Sequence, residues 1–542
     1  MLKIYKKIEE FVLKIIGKLE NQKISLYGWL ISIFAIVFLR NFLESYSTRR
    51  NYFNLELHPF IFFHAPAFYL FYVLFFIVFL YFFTKERIEK ISKIALFAFL
   101  IILLPPIIDL VLTNGAGGLS MQYMENSNPP ENFSDFFQIF SRAFIYSSQG
   151  ILFFAKDNIP NLMTALFRFN YGIRIQCGIL LLGFVWYIFL KTKNILKVLL
   201  GLLSLYSIMV LRFIFPLPLY VWRLASSLNP SFKYEYTIAA FYFIGICILS
   251  FIWFFVFNKE KFFAFLKNAR LTRVFNNIAL LGLGLYLAKV PIFNPLSISP
   301  ADWLLIIMAV ISLLLYWFSA IGYDDLADEK IDRISNQHRP LPQNKFTREE
   351  FKTLTNLSRI ASYVAAFIVG YAFFIFILLR SLVGYLYSCF PLRLKRFPVL
   401  ATFTNGFALL LAIYAGFLIK TTNSIFDFPW KLAIFVLIAF TLGVTAKDIK
   451  DYQGDKAGGI YTIPVLFGLE RGKKIIGLLA FIVFMLCPIF FFDHFNVLIL
   501  PSLFAGILSF LLINRKKHGA QELICLFSIY FSFGVFFILT CF

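Results

Sequence analysis

The stretch YDDLADEKID (323–332) follows an apolar run of about twenty residues, DWLLIIMAVISLLLYWFSAIG (302–322). A run of that length and composition reads as a membrane-spanning helix. Asp325, Asp328 and Asp332 stand at i, i+3 and i+7, which places them on one helical face. DIKDYQGD (448–455) repeats the spacing with Asp448, Asp451 and Asp455, again just after an apolar run. Carboxylates so close repel one another and hold on to protons unless a cation sits among them. Hard oxygen ligands of this kind suit Mg²⁺, which bridges in turn to substrate phosphates. Two such stripes predict a metal-diphosphate site.

Working outward, the chain of 542 residues is 60% hydrophobic and only 15% charged, against the quarter expected of a soluble domain. Apolar runs near 25–43, 60–83, 93–113, 173–190, 195–222 and 237–257 form a first group. A second lies near 274–296, 303–323, 356–378, 379–390, 398–420, 430–446, 474–492, 495–513 and 521–541. The expected fold is therefore all-α, a polytopic transmembrane helical protein of about six N-terminal helices plus a nine-helix bundle. The formal net charge of +22 does not point to nucleic acid, because the basic residues collect in short loops such as 84–93, 191–197, 392–396 and 513–519. All of these fall on one side if the N-terminus is cytoplasmic, and both Asp clusters fall there too. The setting expected is the cytoplasmic membrane of a prokaryote.

The charged segment 258–273 reads as a basic cytoplasmic linker between an N-terminal membrane domain (1–257) and a second domain (274–542) that holds every chemical motif. Residues 1–23 have apolar helical periodicity and a lysine-rich face, which fits an amphipathic helix on an anionic leaflet as well as a plain juxtamembrane lead-in. The long segment 114–172 is expected to be an exterior loop. Asp109 and Arg212, inside apolar runs, are expensive in lipid and mark partners or pore-lining groups, and Arg40 and Glu44 at i, i+4 form an intrahelical pair. The six cysteines stand singly, without metal or disulfide spacing, as small hydrophobes.

Around the clusters, three motifs occur in order: YDDLADEKIDRISNQHRPLP, YSCFPLRLKRFP and AKDIKDYQGDKAGGIYTIPVLFG. Over about residues 270–542 this combination resembles the UbiA superfamily of intramembrane prenyltransferases. The family pattern NDxxDxxxD with its NxxRPL-type segment maps onto Asp324, Asp325, Asp328 and Asp332, then Asn336, Arg339, Pro340 and Leu341. The DxxDxxGD pattern maps onto Asp448, Asp451, Gly454 and Asp455, followed by Gly458, Thr462, Pro464 and Val465. Asp324 stands where the family usually has Asn; both offer an oxygen ligand, and Asp adds a negative charge.

The resemblance implies a Mg²⁺-dependent transfer of an isoprenyl group from a prenyl diphosphate to an aromatic or hydroxyl-bearing lipophilic acceptor. Asp324, Asp328, Asp332, Asp448, Asp451 and Asp455 would hold the metal. Lys395, ahead of Arg393 and Arg396, would bind diphosphate with Arg339, Asn336 and Lys447. Asp325, Asp332, Asp448, Lys395 and Arg339 would be the residues on which catalysis depends. An allylic diphosphate is inert until its leaving group's charge is neutralised, and a chamber with aromatic walls shields the resulting cation from water. Phosphoribosyl transfer to a polyprenyl phosphate is the alternative on the same fold. A cation-coupled transporter is less favoured, since a coupling-ion site is expected near the bilayer midplane rather than at helix ends.

Overall fold

The computed structural model describes residues 2–48, 60–115, 171–214, 226–292, 294–457, 459–515 and 520–542, together with 221, 222 and 224. Among these the chain is helical throughout, and twelve helices are long and apolar enough to cross a membrane. The protein is an integral membrane protein. It divides into two compact units, residues 1–226 with 231–259, and residues 227–230 with 260–542.

The first unit contains α1 (Leu2–Glu20), α2 (Leu26–Thr48), α3 (Ala65–Thr84), α4 (Ile88–Phe99), α5 (Leu104–Leu112), α6 (Tyr171–Thr192), α7 (Ile195–Ile214) and α8 (Tyr234–Phe257). Its core packs α2, α3, α4 and α6 around the fully buried Ile33, Ile77, Ile91 and Ile188. The amphipathic α1 leaves Phe11 and Ile15 exposed. Its C-terminal Glu20 pairs with Lys191 at 2.6 Å and with Lys90 at 3.5 Å, which ties the helix to the ends of α4 and α6. Arg40 and Glu44 form the expected i, i+4 pair, and the Arg40 guanidinium also lies 5.2 Å from the Tyr69 ring centroid. Asp109, buried on α5, accepts the backbone N–H of Gly172 at 3.3 Å. Residues 116–170 of the expected exterior loop and the side chain of Arg212 lie outside the described residues.

The second unit begins within α9 (Lys259–Lys267), where the charge pattern predicts a linker. There follow α10 (Leu271–Leu287), α11 (Pro300–Ala327), α12 (Glu329–Ser335), α13 (Arg348–Val369), α14 (Tyr371–Ser388), α15 (Pro398–Phe417) and α16 (Trp430–Gly443). The chain ends with α17 (Asp448–Ala457), α18 (Ile463–Phe467), α19 (Leu469–Phe490), α20 (Phe495–Ile513) and α21 (Ala520–Cys541). Nine of these, α10, α11, α13 to α16 and α19 to α21, are long helices among the described residues, as the sequence predicts.

Local chemistry sets their ends. The Ser299 hydroxyl accepts the Asp302 N–H at 3.1 Å and Pro300 fills the first turn, starting α11. Thr347 and Glu350 form a capping box that starts α13 eight residues before the apolar run near 356. Helices α13 and α14 break at Gly370 rather than near 378, because an unbroken apolar run hides a turn from any count of hydrophobic residues.

Two contacts fix how the bundle meets. α11 and α13 are locked by reciprocal serines: Ser312 donates to the Ser362 carbonyl at 2.9 Å and Ser362 to the Ser312 carbonyl at 2.8 Å. α10 and α15 approach backbone to backbone, since a Cβ on Gly284 would lie 2.1 Å from the Ile413 carbonyl oxygen and one on Gly416 2.3 Å from that of Leu281. Only glycine permits that crossing.

Candidate active site at the end of α11

α11 carries the first Asp cluster out of the bundle on its last turn. The helix stops at Ala327, and Asp328, with φ −102° and ψ 9°, turns the chain into α12. This break overturns the single stripe expected of Asp325, Asp328 and Asp332. The carboxylates sort instead into two pairs, Asp324 with Asp328 and Asp325 with Asp332, each gathered by its own cations.

The first pair faces the central basic segment. Lys395 reaches both carboxylates, at 2.8 Å from Asp324, and Arg393 donates to Asp328. Ser388, at the end of α14, donates to Asp324 at 3.0 Å. Arg393 adopts φ 42°, a left-handed conformation that a non-glycine residue holds only against strain. Lys395 is only 6% exposed. Burial works to lower its pKa, but the carboxylates of Asp324 and Asp328 outweigh that and hold it above the ordinary lysine range. Arg396 does not join them; its guanidinium lies 5.1 Å from the Phe390 ring centroid.

The second pair is bridged by Arg339, which donates to Asp325 at 3.1 Å and to Asp332. Asn336 donates to Asp332 at 3.0 Å. Burial pushes the Asp332 carboxyl up to about 6, against the lowering pull of Arg339. Asp325 is 1% exposed and has two further partners that the sequence reading missed: Asn268 at 2.6 Å and Arg270 at 3.0 Å, from the turn between α9 and α10. Nothing local signals them, because more than fifty residues separate each from Asp325. The supposed linker is part of the site's frame.

The second cluster lies on α17, which packs against α12 and so adjoins the first. Asp448 and Asp455 are half-buried there, while the side chains of Lys447 and Asp451 lie outside the described residues.

Four carboxylates, Asp324, Asp325, Asp328 and Asp332, thus face four cations, Lys395, Arg393, Arg339 and Arg270. The charges balance within the protein. Among the described residues no three carboxylate, histidine or cysteine side chains converge as a preformed metal cluster. A diphosphate entering here would bring surplus negative charge, so the donor set suits a divalent cation that arrives with it.

The sequence model of the UbiA prenyltransferase family matches residues 279–534. A digeranylgeranylglyceryl phosphate synthase of Methanobrevibacter smithii is 29% identical over 38% of this chain and 74% of its own. A homogentisate phytyltransferase of Synechocystis is 29% identical over 32% of this chain and 58% of its own. A solved UbiA homolog from Archaeoglobus fulgidus, bound to GPP and Mg²⁺, shares 20% identity at a TM-score of 0.40, covering 51% of this chain and 99% of that one. With three ordered motifs in one helical unit, the C-terminal half of this chain carries the sequence pattern of the UbiA prenyltransferase family and is a prenyltransferase within an integral membrane protein.

Proposed function

We propose that the C-terminal unit moves an isoprenyl group from a prenyl diphosphate to a lipophilic acceptor in a Mg²⁺-dependent reaction, with its polar end facing the cytoplasm. The observation that carries this reading is the convergence of Lys395 and Arg393 on Asp324 and Asp328, beside the helix that bears the second Asp cluster.

In this reading Asp324, Asp328, Asp448, Asp451 and Asp455 would hold Mg²⁺, and the metal would supply charge neutralisation of the departing diphosphate. Lys395 and Arg393 exchange their carboxylate partners for phosphate oxygens, which favours the leaving group as its charge grows. Asp325, held by Asn268, Arg270 and Arg339, orients Arg339 toward the same oxygens and is a positioning residue rather than a ligand. The relatives' names span a glyceryl phosphate product and an aromatic acceptor, and both are prenyl transfers. They favour that chemistry over phosphoribosyl transfer. The division into a catalytic C-terminal unit and a separate membrane unit before it belongs to the same proposal.

The test uses the full chain in detergent with a prenyl diphosphate. Asp328→Ala and Asp451→Ala should each lower turnover by about 10²-fold or more while the protein stays monodisperse, and EDTA should abolish wild-type turnover until Mg²⁺ is restored. Full activity in EDTA would rule the mechanism out.

A further inference from the structure

In the first unit, the three faces of α1 meet three different surroundings. Glu9, Ile16 and Glu20 stand at i, i+7 and i+11, which is one stripe of the helix. That stripe faces the protein. Lys90 and Lys191 pair with Glu20, Lys93 donates to the Glu20 carbonyl at 3.1 Å, Ile16 packs on the core of the unit, and Lys193 pairs with Glu9. Lys191 and Lys193 are two positions apart at the end of α6, yet the glutamates they hold are about 16 Å apart along α1. Helix α1 therefore runs across the helix ends instead of projecting away from them.

The two remaining stripes point outward. Phe11 and Ile15, at i and i+4, are 64% and 44% exposed. Lys7, Lys14 and Lys18 repeat the i, i+7, i+11 spacing about 60° around the helix from them, and all three are exposed. Among the described residues no carboxylate pairs with these lysines, and Glu10 is the one acid beside them on α1. A headgroup layer satisfies both stripes at once, because its acyl boundary covers the ring and the isoleucine while its phosphates meet the ammonium groups. The position of α1 supplies such a layer. It lies at the ends of α4 and α6, which belong to membrane-spanning segments. A protein partner fits this face less well, since lysine is depleted from the core of protein interfaces.

We infer that the outward face of α1 is a docking surface for anionic phospholipid, with Phe11 and Ile15 dipping into the headgroup layer and Lys7, Lys14 and Lys18 reading its charge. The full wild-type chain is placed in nanodiscs of phosphatidylcholine and, separately, of an equimolar mixture with phosphatidylglycerol, and amide hydrogen exchange of residues 2–20 is followed by mass spectrometry. Exchange should be at least about fivefold slower in the mixture, and the difference should shrink in high salt, which screens exposed charge. Equal exchange in both membranes leaves this face to water or to a soluble protein, and overturns the inference without any variant having to fold. Combining Lys7→Gln, Lys14→Gln and Lys18→Gln should bring exchange in the mixture to within about twofold of that in phosphatidylcholine. A fivefold difference that survives in this variant assigns the lipid response to another part of the molecule and also overturns the inference.

Discussion

At the scale of single residues, partner number separates the charges that matter from those that decorate the surface. Asp325 is buried with three donors, and removing one leaves a desolvated carboxylate short of a partner. Arg270→Ala should therefore cost about 1–3 kcal/mol of stability and about 10- to 100-fold in turnover, as Arg339 loses its alignment. Arg333→Ala breaks an exposed pair with Glu329 that should contribute less than about 1 kcal/mol and leave turnover unchanged. Denaturation midpoints and steady-state rates of both variants check the contrast, and equal effects would contradict it. The acidic half of this arrangement is legible in the sequence, because seven of its residues sit in two short motifs. Asn268, Arg270 and Ser388 are not, since each reaches its Asp from a distant segment.

At the scale of elements, the largest departure from expectation is α9. Its lysines and the turn after it suggest a solvated connector, and charge alone cannot reveal that the Trp317 indole holds the Ala269 carbonyl at 2.8 Å or that Lys261 pairs with Glu350 at 2.7 Å. These contacts make the segment part of the C-terminal unit. A chain beginning at Glu260 should bind geranyl diphosphate with Mg²⁺ within about threefold of the full chain, whereas one beginning at Leu271, without Asn268 and Arg270, should bind at least about tenfold more weakly. Calorimetry on the two detergent-purified proteins decides it, and equal affinity would remove α9 from the site's frame. The break at Asp328 was equally hidden: the i, i+3, i+7 spacing assumes one continuous helix, and one residue leaving helical geometry sends neighbouring carboxylates to different partners.

For the whole molecule, hydropathy and the capping residues convey the helical membrane architecture well, since a lipid-facing segment must satisfy its backbone internally. Orientation rests on lysine and arginine asymmetry alone. In a variant lacking the six native cysteines, Lys330→Cys beside the first Asp cluster should react with a membrane-impermeant thiol reagent only from the cytoplasmic face. Leu296→Cys, 98% exposed before α11, should react only from the other face. The reverse pattern would place the site outside the cell. The glycine crossing of α10 and α15 has a bearing on catalysis too, although it lies at the opposite end of α10 from the Asp325 cluster. Gly284 stands fourteen residues along α10 from Arg270, a lever arm of about 21 Å. A tilt of about 5° at that fulcrum would swing the guanidinium by about 2 Å, several times the slack of about 0.5 Å that a catalytic constellation tolerates. The aim of the cation is thus set by the absence of two methyl groups at the opposite end of its helix.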